Sequence, residues 1–199
     1  MMKKIYLLIT LLYVPLALWS QHEEKSLLTT PNGWTKEVLG IPFGFAPQIN
    51  YQGFEDIRFA KGWGNVESIE FWTYAFVWNI NLYEKPDATF FTTNLQLYFD
   101  GLMTAVNKNN NVTVPKTKVL LQQKEEADER TFFSGSVTLY DAFKTQKQLT
   151  LQLVIESKYC SKTKTYLPVF RFSPQSFEHP VWKELYVVKL KENNCQPTQ

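Results

Sequence analysis

The sequence predicts an α+β domain in which an antiparallel sheet of about six strands packs against one long helix. Three observations favour this fold: a long aromatic segment typical of a central strand, a following segment with helical spacing, and four consecutive strand-like segments joined by short polar links. Aromatic residues make up 16% of the 199 residues, and such side chains pack well in strands. A chain of this size can bury a core as one domain.

The region from residue 34 to 64 is rich in glycine, proline and aromatic residues. This composition predicts short extended pieces joined by turns. We place two strands here, at Gln48–Tyr51 and Asp56–Ala60.

The segment Ser68–Leu82 gives the strongest strand signal. One face of this strand would carry Trp72, Tyr74, Phe76, Trp78, Ile80 and Leu82. The other face would carry the generally smaller side chains Ile69, Phe71, Thr73, Ala75 and Val77. Because both faces are largely apolar, the pattern predicts a central strand that is covered on both sides. We expect the long helix to pack on the face with the smaller residues.

A long helix is predicted over Ala88–Lys108, with Asp87 as its N-cap and Asn109–Asn111 at its end. Apolar residues recur at spacings of three and four: Phe91, Leu95, Tyr98, Phe99, Leu102 and Val106. A hairpin is the alternative, because Leu95, Leu97 and Phe99 alternate and Asp100–Gly101 is a turn signal. The helix is favoured because its spacing persists over five turns.

An antiparallel meander should follow the helix, since short polar links separate the next segments. Its strands are predicted at Lys116–Lys124, Arg130–Tyr140, Gln148–Lys158 and Thr165–Phe172. The polar faces of the middle two strands indicate that one side of the sheet is exposed to solvent. The pattern of Val181–Leu190 suits either a short helix or a last strand and does not decide between them.

Residues 1–20 have the pattern of a cleavable signal peptide. Lys3 and Lys4 precede an apolar run from Ile5 to Val14, and Ser20 offers a small residue for cleavage. The alternative is an uncleaved anchor, but the apolar stretch is shorter than the roughly 20 residues that a spanning helix needs. We therefore expect a secreted or periplasmic protein without a transmembrane span, with a flexible lead-in at 21–33 and one soluble domain at 34–199.

Charge and cysteine content narrow the function classes. Removal of residues 1–20 takes away two lysines and no acid, which leaves 19 Lys and Arg against 19 Asp and Glu. A neutral chain lacks the basic surface that nucleic acids require. An even pair of cysteines in an oxidising compartment predicts a disulfide between Cys160 and Cys195. A free pair or a metal pair is the alternative, but a zinc site needs four ligands and only two histidines are present. No metal or cofactor is predicted.

Three segments resemble those of an uncharacterised group of exported bacterial proteins: Pro42–Pro47, Asp56–Ala60 and Phe71–Trp78. The resemblance covers about half of the chain and implies a bacterial host. No activity or functional residue follows from it. The sequon Asn111-Val112-Thr113 would usually go unused in such a host.

The candidates for catalysis are His179 and Glu70. His179 is the only histidine in the predicted domain, so a serine nucleophile would have to use it as a base; otherwise it is a plain loop residue beside Glu178. Glu70 belongs to a group of acids near the central strand with Glu55, Asp56 and Glu67. A glycosidase needs such a carboxylate pair, although Arg58 is a more ordinary partner for these acids.

The aromatic row Trp72, Tyr74, Phe76 and Trp78 is the candidate ligand site. It could line a pocket for an apolar molecule or simply form core under a helix. The leading hypothesis is non-enzymatic binding of a small or lipid-like ligand or of a protein partner. The alternatives are an extracytoplasmic hydrolase that uses paired carboxylates or His179, and a structural or assembly module of the cell envelope. A cavity at the aromatic row would favour the first hypothesis.

Overall fold

In a computed structural model, the described residues of the protein form one seven-stranded antiparallel sheet and two helices. The structure describes residues 26–109, 112–191 and 195. The predicted signal peptide, residues 21–25 of the lead-in and Asn111 of the sequon lie outside these described residues.

The strands follow the order β1-β2-β3-β7-β6-β5-β4 across the sheet. Their bounds are β1 Thr35–Ile41, β2 Gly53–Phe59, β3 Tyr74–Ile80, β4 Lys118–Ala127, β5 Arg130–Tyr140, β6 Gln148–Cys160 and β7 Thr165–Ser173. The helices are α1 Ala88–Asn107 and α2 Val181–Val187. The α+β class, the long helix and the four-strand meander are thus confirmed, with β3 inside the sheet between β2 and β7.

The first strand is the main addition to the predicted fold. Asp56–Ala60 corresponds to β2, but the strand predicted at Gln48–Tyr51 is wrong, and β1 lies earlier at Thr35–Ile41. Most β1 residues are exposed, because β1 is an edge strand that pairs only with β2. An exposed edge strand carries little of the apolar alternation that identifies buried strands.

The central strand is shorter than its apolar run. Successive turns occupy the residues before Tyr74: the N–H of Phe71 donates to the carbonyl of Ser68 at 3.0 Å, and that of Thr73 to Glu70 at 2.9 Å. Phe71 and Trp72 are nevertheless buried. Hydrophobicity therefore could not distinguish this buried loop from the strand that it precedes.

Helix α1 begins as predicted, since the Asp87 carboxylate accepts a hydrogen bond from the N–H of Phe90 at 2.7 Å. It packs, however, on the aromatic face of the sheet, the face that carries Phe76 and Trp78. Edge-to-face contacts join the two layers, with ring centroids 5.6 Å apart for Phe91 and Phe170.

The prediction that the long helix covers the smaller residues is therefore wrong. The opposite face, which carries Ala75 and Val77, packs against the short helix α2 through Val181, Trp182 and Leu185. Small side chains leave room there for a short helix and an extended segment. The ambiguous C-terminal element is thus a helix, followed by a single bridge between Leu190 and Leu28.

The two ends of the described chain meet on this opposite face. Leu28, within the predicted lead-in, is completely buried, and the N–H of Thr29 donates to the carbonyl of Lys189 at 2.9 Å. The predicted disulfide between Cys160 and Cys195 is present. It ties the C-terminal segment to the end of β6.

Candidate functional site

A groove of about 630 Å³ lies at one end of the aromatic face, between the sheet and α1. We call it the aromatic groove, because seven aromatic side chains of the described residues line it: Phe45, Phe59, Trp63, Trp72, Tyr74, Tyr98 and Phe143. Leu102 and Val106, from the second half of α1, form one wall, whereas Glu37 and Lys61 are its charged lining residues.

Strand pairing builds the sheet side of the groove. Phe59 on β2 is the direct partner of Tyr74 on β3, and their rings stack with centroids 5.9 Å apart. Cross-strand aromatic pairs stabilise such a sheet. This side of the groove is consequently held by two rigid strands.

The loop between β2 and β3 supplies the two tryptophans. The N–H of Trp72 donates to the carbonyl of Trp63 at 3.1 Å, and the carboxylate of Glu70 accepts from the N–H of Gly62 at 2.7 Å. The Trp63 ring lies 5.0 Å from Phe59 and 5.7 Å from Phe143, between centroids. These contacts bring loop and strand rings into one cluster.

Trp72 has an unusual backbone conformation. Its φ angle is 54°, in the left-handed backbone region that residues other than glycine rarely adopt. Such a conformation costs on the order of 1–3 kcal/mol and persists where the surroundings fix it, commonly at ligand sites. The strain marks the loop end of the groove as a place where side-chain position is tightly specified.

The indole N–H groups of Trp63 and Trp72 are buried and have no hydrogen-bond acceptor within the described part of the chain. Buried donors in native structures are nearly always paired. Two unpaired donors in neighbouring rings, whose centroids are 5.5 Å apart, are therefore a notable feature of the groove wall.

A buried carboxyl group lies directly behind the groove. Glu55 is fully buried; it accepts hydrogen bonds from the Trp78 indole N–H at 2.6 Å and from the Tyr98 hydroxyl at 3.0 Å. Burial raises the pKa of Glu55 from its ordinary 4.5 to about 8, despite these two hydrogen bonds. Since Tyr98 lines the groove, one hydrogen bond separates Glu55 from it.

The predicted ligand row is divided by the structure. Trp72 and Tyr74 line the groove, whereas Phe76 and Trp78 are completely buried in the core. The groove thus adjoins only the first half of the row. Sequence reasoning missed Phe59, Tyr98 and Phe143 as its partners, because they come from separate elements and no motif links them.

The two catalytic candidates, His179 and Glu70, lie in different loops, and each makes a hydrogen bond to the backbone there. His179 accepts a hydrogen bond at Nδ1 from the N–H of Val181, at the start of α2. Glu70 holds the Gly62 loop as described above. The structure gives no test of a catalytic role for either residue.

The group of acids near β3 is split between the two faces of the sheet. Asp56 forms a buried ion pair with Arg58 on the face opposite Glu55. Alternation along β2 explains this separation. Among the described residues, no group of three His, Cys, Asp or Glu side chains is placed to hold a metal ion.

Comparisons of the chain with protein-family models, curated proteins and solved structures found no match. Neither helix in the described ranges has the length and apolar character needed to cross a membrane. The arguments for function therefore come from the geometry of the chain itself.

Proposed function

We propose that this protein acts outside the cytoplasm as a non-enzymatic carrier or receptor that binds a small, lipid-like or aromatic molecule in the aromatic groove. The observation that carries the proposal is a cavity of about 630 Å³ lined by seven aromatic side chains of the described residues. Small-molecule sites are typically concave, mostly apolar and about 300–1,000 Å³ in volume.

The polar groups around the groove support an amphipathic ligand. The indole N–H groups of Trp63 and Trp72 are buried without an acceptor among the described residues, so a ligand oxygen would pair with one of them only after a side chain in the groove wall moved. The charged side chains of Glu37 and Lys61 add two further polar contacts for one end of the ligand. An apolar body with a polar end fits this arrangement.

Binding is preferred over catalysis because Glu55, the carboxyl group whose pKa burial raises to about 8, is shielded from the groove. Glu55 has no solvent-accessible surface and contacts the groove only through Tyr98. A general acid or base must lie within hydrogen-bond reach of the proton it transfers. We therefore assign Glu55 a role in the wall of the groove and not in a reaction.

A neutral fluorescent probe, N-phenyl-1-naphthylamine, tests this proposal. We expect the protein to bind one probe molecule with enhanced probe emission. Val106→Trp should weaken binding at least about ten-fold, because the larger ring occupies the groove that Val106 lines. Ile69→Trp adds the same ring to an exposed position outside the groove and should leave the affinity unchanged.

Two results would contradict the proposal: a wild-type protein that binds no probe, and equal probe affinities in the two tryptophan variants. Native and denatured mass spectrometry of protein from its own host gives the complementary measurement. A native mass above the denatured mass, absent in Val106→Trp, would give the mass of the natural ligand.

A further inference from the structure

A second cleft lies on the opposite face of the sheet, where β6, β7 and the segment after α2 meet. It has a volume of about 590 Å³. We call it the cationic cleft, because its charged lining residues are Arg130, Lys158, Arg171, Lys189, Lys191 and Glu156. Among the described residues, five cations thus surround one carboxylate.

The carboxylate in this lining is already engaged by two arginines. Glu156 contacts Arg171 at 3.1 Å and Arg130 at 3.5 Å, measured between nitrogen and oxygen. Within residues 26–109, 112–191 and 195, no carboxylate lies at ion-pair distance from Lys158 or Lys189. The described residues of the cleft therefore carry more positive than negative charge.

Strand register increases this charge density. Arg130 on β5 is the direct cross-strand partner of Lys158 on β6. Like charges in this position repel each other and destabilise the sheet. The chain after residue 20 is predicted to have equal numbers of acidic and basic residues. The excess of cations in the cleft is therefore a local feature and does not reflect a basic protein as a whole, which indicates a specific site.

Arg171 gives the cleft a rigid floor. Its side chain is 2% exposed, and its guanidinium donates to the backbone carbonyls of Leu185 at 3.2 Å and Val188 at 2.9 Å. The Tyr186 ring lies 5.6 Å from the guanidinium carbon and is 53% exposed. A fixed cation beside an accessible ring is suited to a ligand with both an anionic and a planar or sugar-like part.

We propose that the cationic cleft binds a multiply charged phosphate-type anion carried on a larger molecule. Arginine and lysine together recognise phosphate oxygens through charge-assisted hydrogen bonds. The volume of the cleft exceeds that of one phosphate group and leaves space for the rest of the molecule beside Tyr186. This site is separate from the aromatic groove and does not depend on the function proposed for it.

Calorimetric titration with inorganic pyrophosphate at low ionic strength tests the site. The wild-type protein should bind one pyrophosphate. The double variant Lys158→Gln/Lys189→Gln should bind at least about ten-fold more weakly, because two charge-assisted contacts are lost. Lys158→Arg/Lys189→Arg keeps both charges and should stay within about three-fold of wild type on the same grounds.

Lys118→Gln is the matched control, because Lys118 is exposed and lies at the end of β4 remote from Ala127, the partner of Arg130. Its pyrophosphate affinity should equal that of wild type, and circular dichroism should show that all variants are folded. The proposal is overturned if wild type binds no pyrophosphate, or if the glutamine double variant binds as tightly as the control.

Vesicles distinguish the two sources of such an anion. Sedimentation with phosphatidylcholine vesicles that contain phosphatidic acid, but not with phosphatidylcholine alone, would identify a lipid headgroup as the ligand. Pyrophosphate binding without vesicle binding would identify a free phosphorylated molecule. If wild type and the glutamine double variant both sedimented with the acidic vesicles, and to the same extent, a role for the cleft would be contradicted.

Discussion

At the scale of single residues, Glu55 shows how the aromatic face imposes a protonation state on the protein. The carboxyl group occupies a position on β2 where an apolar residue is expected, directly opposite Trp78 on β3. Burial raises its pKa to about 8, so it is mainly protonated at neutral pH. Burial also raises the pKa of the Tyr98 phenol, which lines the groove, well above its ordinary value.

We predict that Glu55 makes the protein less stable as the pH rises from 5 to 8. The folded state holds this proton up to about pH 8, whereas the unfolded chain releases it near pH 4.5. The group therefore lowers the free energy of unfolding across this interval by on the order of 3 kcal/mol. Urea denaturation at pH 5 and pH 8 measures the effect.

Glu55→Gln should remove this pH dependence, because the amide stays neutral and its oxygen can still accept from Trp78. Glu37→Gln is the control: Glu37 is exposed and raises the pKa of Glu55 only as the last of several contributions, after burial. Most of the pH dependence should survive in that variant. The prediction would be contradicted if the free energy of unfolding of the wild-type protein fell no more between pH 5 and pH 8 than that of Glu55→Gln.

At the scale of elements, the sequence predicts which helix forms but not which face of the sheet that helix packs on. Spacing of Phe91, Leu95 and Phe99 identifies α1, and its bounds agree closely with Ala88–Lys108. Both faces of β3 are apolar, however, so hydrophobicity alone could not assign α1 to one of them. The decision depends on aromatic contacts between α1 and β7, such as Phe99 with Phe172, which sequence spacing does not show.

The lining residues of the aromatic groove could likewise be identified only in part from the sequence. Trp72 and Tyr74 were identifiable because they lie on one strong strand signal, and their exposure to a cavity was one of two open interpretations. Phe143, in contrast, comes from the link between β5 and β6, and Tyr98 has the spacing of a core residue of α1. Long-range contacts bring these residues together, and a single sequence gives no measure of such contacts.

Helix α1 also makes a close approach to the chain after β1, and this approach reverses an ordinary substitution rule. Replacing glycine by alanine inside a helix is usually favourable by about 1 kcal/mol. At Gly101, however, a Cβ atom would lie 2.0 Å from the carbonyl oxygen of Phe45. Backbone must move to accommodate it.

We predict that Gly101→Ala lowers the free energy of unfolding by about 1–3 kcal/mol, the usual cost of overpacking. It should also weaken binding of N-phenyl-1-naphthylamine, because Phe45 lines the groove. Thr104→Ala, at an exposed position of the same helix, should instead be neutral or slightly stabilising. Equal effects of the two substitutions in urea denaturation would show that the close approach is absent in solution.

At the scale of the whole molecule, the sheet separates two sites that differ in chemistry. The aromatic face carries a groove for an apolar molecule, and the opposite face carries the cationic cleft. The opposite face also fastens the chain ends: Arg58 donates to the Thr30 hydroxyl at 2.5 Å and the Leu28 carbonyl at 3.0 Å. The two proposed sites should therefore respond independently to mutation.

At this scale we predict that the disulfide, which holds the C-terminal segment against the sheet, contributes to the stability of the whole domain. Cys160 and Cys195 are 35 positions apart, and the loop between them contains β7 and α2. Without the bond the unfolded chain gains freedom, so Cys160→Ser/Cys195→Ser should lower the free energy of unfolding by roughly 3–4 kcal/mol. Urea denaturation of this variant and of the reduced wild-type protein should give the same loss.

The same variant tests whether the two faces are independent. Because α2 and Cys160 pack on the face opposite the groove, the variant should bind N-phenyl-1-naphthylamine with wild-type affinity under conditions where it is folded. Pyrophosphate binding should weaken, since the cationic cleft includes Lys189 and Lys191 from the segment that the disulfide holds. A parallel loss of both affinities would mean that the sheet transmits the change from one face to the other, and that the two sites form one coupled system.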